Sequence, residues 1–281
     1  MKKQYLFAGA GILLVILIFI FGRTIEPKKA VAPLQNKAVA SDFSIRQFVD
    51  SSRQKLIPSQ ALQLTSLETS LTSSDLQGQV LLYDSLAKIW KDSARVFEPY
   101  AFYISEAAKL DNSEKKLTFA AQLFLELLRS EHDEAKLNWE TTEAIDLFER
   151  AIKLNPSNDD LRIGLGSCYV YGKGRSGNPQ ETMKGIQELL AVARRDSNNM
   201  KAQIVLGVGG LVSGQYDKAL ERFKKVLARE PNNVQAISYI AEVYVAKADK
   251  AEAIKWYTLS KRLVNDPHYS QEVDERIRMM K

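Results

Sequence analysis

GQYDKALERFKKVLAREPNN, residues 214–233, sets apolar side chains at helical spacing (Ala219, Leu220, Phe223, Val226, Leu227) and then stops on Pro231 and two asparagines. Residues three and four apart share one face of a helix, and a proline beyond the last of them ends it. The stretch before it, MKAQIVLGVGGLVS (200–213), reads as a second helix, with Gly207 small enough for close helix approach. Two antiparallel helices in 200–233, followed without a gap by similar sequence over 234–267, give the roughly 34-residue period of a helical solenoid.

Leu206, Gly207, Gly214, Tyr216, Ala219, Phe223 and Pro231 resemble the tetratricopeptide repeat family, whose pattern is a large, a small and an aromatic residue, then Ala, Phe, Ala and Pro. Gly210 departs from it, standing where an aromatic is usual. In 234–267 the same places hold Ile240, Ala241, Tyr244, Ala253 and Tyr257, with Asn265 in place of proline and Pro267 two residues late. Earlier units carry the register with insertions. Residues 159–199 have Leu165, Gly166 and Tyr169, then Gly185, Leu189 and Val192; 114–158 have Ala120, Ala121 and Phe124, then Ala144, Phe148, Ala151 and Pro156. A looser unit over 80–113 contains Ala87, Trp90, Tyr103 and Ala107. Residues 42–79 are helical by the spacing of Phe43, Phe48, Leu64, Leu67 and Leu71, without assignment to a repeat. Residues 268–281 suit a helix that covers the last apolar face. The expected fold is all-α: a tetratricopeptide-like superhelix of antiparallel helix pairs over 80–267, behind an N-terminal transmembrane helix.

The resemblance implies a groove lined by the first helix of each pair, taking a protein or peptide. Transferring the family's groove positions gives Lys115, Thr118, Gln122 and Leu125; Asp160, Ile163, Ser167 and Val170; Lys201, Ile204, Val208 and Leu211; and Gln235, Ser238, Glu242 and Val245. The third set is the most apolar, so Ile204, Val208 and Leu211 are expected to accept apolar side chains. Relatives that clamp a C-terminal carboxylate use Lys, Asn and Arg. Here only Lys201 fits, and Thr118, Gln122, Gly164 and Val205 do not.

GKGRSGNPQ, residues 172–180, holds Gly-x-Gly-x-x-Gly. A dinucleotide turn needs a strand before it and a helix opening within it. This motif instead follows the helical LGSCYVY, so it reads as a lengthened turn within a pair, with Lys173 and Arg175 exposed. RSEHDEAKLNWET, residues 129–141, reads as a second insertion, a loop bearing Trp139 that docks on the solenoid or anchors a partner.

Charge is unevenly placed. Of 39 Lys and Arg and 34 Asp and Glu, six basic residues and one acidic residue fall within 1–40, leaving 33 of each sign in 41–281. The formal charge of +5 therefore belongs to the N-terminal stretch, which argues against nucleic acid as a partner. YLFAGAGILLVILIFIFG, residues 5–22, has no charged residue; as a helix it would extend about 27 Å, the thickness of a bilayer's hydrocarbon core. It reads as a single-pass inner-membrane anchor after a basic tail (1–4) and before a flexible Pro- and Ala-rich tether (23–41). A cleaved leader competes, since AVA occurs at 30–32 and 38–40, but the apolar run is longer than a leader's. Lys2 and Lys3 favour a cytoplasmic start and an extracytoplasmic, periplasmic bulk, while Arg23, Lys28 and Lys29 pull the other way.

Nothing suggests catalysis, a cofactor or a metal. Cys168 is the only cysteine, with no base beside it, and His132 and His268 stand apart. The expectation is a non-enzymatic, membrane-tethered scaffold in an envelope complex for secretion, cytochrome maturation or envelope assembly. An inverted anchor would make it a cytoplasm-facing regulatory or assembly subunit. The sequence does not set the oligomeric state.

Overall fold

The computed structural model describes residues 43–280. The expected tail, span and tether (1–4, 5–22 and 23–41) lie outside them. Among the described residues no strand occurs, and no helix is long and apolar enough to cross a membrane.

Two helices, α1 (Ile45–Ser52) and α2 (Pro58–Leu71), lead into five antiparallel pairs. These are α3 (Leu76–Ile89) with α4 (Phe97–Asp111), α5 (Glu114–Ser130) with α6 (Glu134–Leu154), and α7 (Asp159–Cys168) with α8 (Pro179–Arg195). The last two are α9 (Met200–Val212) with α10 (Tyr216–Arg229) and α11 (Val234–Ala246) with α12 (Lys250–Val264). A final helix, α13 (Pro267–Met280), packs on α12. From α5 onward, consecutive first helices (α5, α7, α9, α11) touch one another and form an inner layer. The second helices pack chiefly on that layer from outside. The result is an α-solenoid.

α10 shows why the sequence folds this way. Its apolar stripe, Ala219, Leu220, Phe223 and Val226, is buried, and each larger side chain contributes about 1.5–3 kcal/mol of burial. A Cβ on Gly207 would lie 2.5 Å from the Phe223 ring, so only glycine lets α9 and α10 come this close. The Asn-rich turns that stop one helix also start the next. Asn158, Asn199 and Asn233 accept hydrogen bonds from the backbone N–H of Asp160, Ala202 and Ala236 (3.0, 3.0 and 2.9 Å), filling otherwise orphaned donors.

The first expected loop differs from the sequence reading, and the second agrees with it in part. Residues 134–141 are not a loop: Asp133 caps the N–H groups of Ala135 and Lys136, and the 21 residues of α6 run unbroken from Glu134. Trp139 on this extension packs its ring against Phe124 (5.3 Å, edge-on) and Phe43 (5.1 Å). The insertion therefore clasps the N-terminal helices to the solenoid. At 172–180, the first helix runs on as a π-turn (Tyr169–Lys173). Arg175 then donates to the carbonyls of Leu128 (2.7 Å) and Glu131 (2.6 Å), where the α5 dipole ends negative. Lys173 donates to Asn138 Oδ1 (2.7 Å). Both charges make internal contacts, while Arg175 through Gln180 stay exposed, so the lengthened turn is present and is tied down at two side chains.

Ahead of the pairs, Val49, Leu64, Leu86, Trp90, Tyr100 and Tyr103 join α1–α4 in a second core. Glu68 ties it together, accepting from Arg53 (2.6 Å) and from the Tyr103 hydroxyl (2.9 Å).

Candidate partner-binding groove

The inner layer holds a cavity of about 470 Å³. α5 supplies Phe119, Gln122, Leu123, Leu125, Glu126 and Arg129 along one side. α7 gives Asp160, Ile163 and Ser167; α9 gives Lys201, Ile204 and Val205; and α11 closes the end with Gln235. The inner layer presents this face because α5–α9 bury their other sides against their own second helices and against one another.

Of the sequence-predicted residues, Ile163, Ser167, Lys201 and Ile204 come together here, with Gln122, Leu125, Asp160 and Gln235. The Phe119 ring is 47% exposed, so a large apolar surface faces water with no internal partner for much of its area. The family positions did not point to it; an aromatic on an otherwise polar helix edge was the available signal. The polar elements are sparse. Lys201 Nζ pairs with Asp160 Oδ1 at 2.9 Å, both largely exposed, and so open to competition from a ligand charge. Ser167 Oγ already donates to its own helix, to the carbonyl of Ile163 (2.7 Å). Arg129 lies over the Tyr171 ring at 5.7 Å, and the Tyr171 hydroxyl is 3.4 Å from that of Tyr239. Burial pushes the Tyr171 phenol up, so it stays a neutral donor.

The other candidates lie elsewhere. Val170 and Val208 are buried (0% and 4% exposed) in the main core behind the groove, and Leu211 packs partly buried against that core. Ser238 Oγ is bonded to the Tyr269 hydroxyl (2.9 Å), and Glu242 accepts from the Tyr257 hydroxyl and from Arg276 (both 2.5 Å). α13 thus occupies that part of the inner face. Val245, 41% exposed, sits beyond the cavity. Of the expected patch around Ile204, Val208 and Leu211, only Ile204 lines this cavity, whose apolar lining is the exposed Phe119, Leu125 and the largely buried Ile163 and Ile204.

The glycines of 172–180 follow helical backbone, without the strand a dinucleotide turn requires, and Gly172 is pressed against Thr141. Cys168 is buried, and burial pushes its thiol up, away from thiolate chemistry. Among the described residues no three His, Cys, Asp or Glu side chains group as a metal site.

The sequence profile of the tetratricopeptide repeat family matches residues 211–271. Bovine (Bos taurus) BBSome complex member BBS4 is 28% identical over 102 residues, which is 36% of this chain but 18% of that protein. Human (Homo sapiens) tetratricopeptide repeat protein 6 is 26% identical over 133 residues, 45% of this chain and 25% of that one. The chain thus spans a quarter or less of these relatives. Among solved structures, TTC0263, a tetratricopeptide repeat protein of Thermus thermophilus, superposes with a TM-score of 0.53 at 16% identity, over 73% of this chain and 98% of its own. That likeness concerns the fold alone.

Proposed function

We propose, for a chain that carries tetratricopeptide repeats, that it is a non-enzymatic scaffold whose inner groove binds a segment of another protein. Proteins of this repeat family mediate protein–protein interaction. The observation that carries the reading is the run of apolar side chains lining the cavity across three successive first helices, from the exposed Phe119 and half-buried Leu125 to the largely buried Ile163 and Ile204, edged by the Lys201–Asp160 pair. An apolar strip with few polar groups suits a segment that offers apolar anchors at intervals. Lys201 and Arg129 against Asp160 and Glu126 balance the groove's charge, so apolar contact supplies the affinity and the ion pair sets register.

Phe119→Asp tests this. Phe119 is half-exposed, so its substitution leaves helicity by circular dichroism intact while a partner retained by the wild-type chain is lost. Retention of the same partner by well-folded F119D removes the groove from the account.

The tether belongs to the same proposal. The uncharged run 5–22 beside a basic excess supports a single-pass anchor in the inner membrane with the repeats outside the cytoplasm, in an envelope complex. Electroneutrality of 41–281 supports a protein rather than a nucleic-acid partner. The basic residues beyond the run favour the alternative, a cytoplasm-facing assembly subunit. Protease added to intact, outer-permeabilised and lysed cells, with a C-terminal tag followed, separates them. Loss on outer permeabilisation supports the periplasmic reading, survival until lysis the inverted one, and a shortened soluble product excludes the anchor.

A further inference from the structure

A second cavity, about 620 Å³, opens on the other side of α9, between α8 and α10. Ile186 and Leu190 of α8 and Leu206 of α9 form apolar walls, and the backbone at Gly209 and Gly210 forms its floor. Met183 and Val212, 49% and 42% exposed, stand there facing water.

Its origin lies in the repeat register. Three residues after the small residue of each first helix, the solenoid places Phe124, Tyr169 and Tyr244; in α9 that position is Gly210. Tyr169 shows where the ring goes. A Cβ on Gly185 would be 2.5 Å from the Tyr169 Cβ, so that side chain crosses onto its own second helix. The direction a Cβ would take from Gly210 leads to Ala219, the equivalent place on α10, at 3.2 Å. The ring that three pairs supply from within is missing from the fourth, where the cavity opens.

We propose that this cavity receives one aromatic side chain of a partner protein, which occupies from outside the position that Phe124, Tyr169 and Tyr244 occupy in their own repeats. Electrostatics favours an aromatic over an aliphatic occupant. Lys218 and Arg222, one turn apart on α10, line the cavity; they bond to the neutral acceptors Gln215 Oε1 (2.8 Å) and Gln203 Oε1 (2.9 Å), which leave their charges uncompensated. Glu221 on the same edge leaves it net positive. Cations at the rim of an apolar site attract the negative face of a π system. The site is separate from the inner groove, and failure of either leaves the other standing.

The full-length chain labelled at its methionine methyls provides the test, because Met183 lines the cavity while Met200 and Met279 serve as controls. Titration with N-acetylphenylalaninamide should shift the Met183 methyl resonance saturably and leave the controls in place. N-acetylleucinamide should bind roughly threefold to tenfold more weakly. Gly210→Tyr, which supplies the ring from within, should abolish the shift. Val212→Trp, which covers the cavity at an exposed position without pressing on the core, should abolish it even if the first variant fails to fold. Equal response to the leucine amide, an undiminished shift in folded variants, or no saturable shift at all overturns the proposal.

Discussion

Glu140 is fully buried on α6, and among the described residues neither carboxylate oxygen has a hydrogen-bond partner. Burial, reinforced by Glu131 and Glu98 and only partly offset by Lys136 and Arg175, pushes its pKa from 4.5 up to about 8. The folded state then holds the protonated acid at neutral pH, while the unfolded chain ionises above 4.5. The group's contribution to stability is therefore complete below about pH 4.5, lost progressively as pH rises, and level again above about pH 8. Each unit in that window is worth about 1.4 kcal/mol, so relative to acid conditions the wild type forfeits up to about 3 kcal/mol by pH 7. Glu140→Gln fills nearly the same volume and does not titrate. Urea unfolding of both proteins across the pH range isolates the group, because every other titration cancels in the difference. Between about pH 5.5 and 7.5 the variant should gain about 2–3 kcal/mol on the wild type. A difference that stays constant with pH, or one that moves in the wild type's favour as pH rises, would refute the reasoning, since it would mean that the carboxylate is ionised and partnered in the fold.

Gly207→Val drives a side chain into the Phe223 ring and should cost about 1–3 kcal/mol by urea unfolding; a neutral outcome would mean that α9 and α10 are not in close contact. Trp139→Ala removes the ring between Phe43 and Phe124, with a loss of about 3 kcal/mol and faster proteolysis near residue 43. Arg175→Ala releases two carbonyls at the end of α5 and should cost about 1–3 kcal/mol, seen as faster amide exchange over 172–178. Titration of the wild type with dinucleotide or ATP in a calorimeter should give no binding heat; a measurable isotherm would reverse the reading of 172–180 as structural backbone.

The helix pairs were legible because α10 buries one stripe and wets the rest, so its 3.6-residue period appears in the residues themselves. α9 was not legible in the same way. Ala202 through Gly209 are all buried, leaving no polar face to show which side meets the groove. Family positions placed Ile204 on the cavity and Val208 with it, yet Val208 lies behind. Ser238 and Glu242 were misplaced for another reason: α13 folds back over them, a tertiary contact that one repeat's pattern does not encode. The extension of α6 was read as a loop because it exceeds the repeat length, although Asp133 as a cap, followed by Leu137, Thr141 and Ala144 at helical spacing, marks it as helix. Glu140 was hidden among ordinary surface-type charges, since burial of a carboxyl depends on what packs over it.

Site-specific photo-crosslinking in living cells tests the scaffold reading most directly. A benzophenone amino acid placed at Phe119, Gln122 or Lys201 looks into the groove; placed at Lys224 or Lys255, it looks out from a second helix. Discrete adducts from the groove positions, those at Gln122 and Lys201 disappearing with the exposed-site substitution Phe119→Asp, and none from the outer pair, are the predicted result. Adducts from the outer positions alone, unaffected by that substitution, would contradict a groove-binding scaffold.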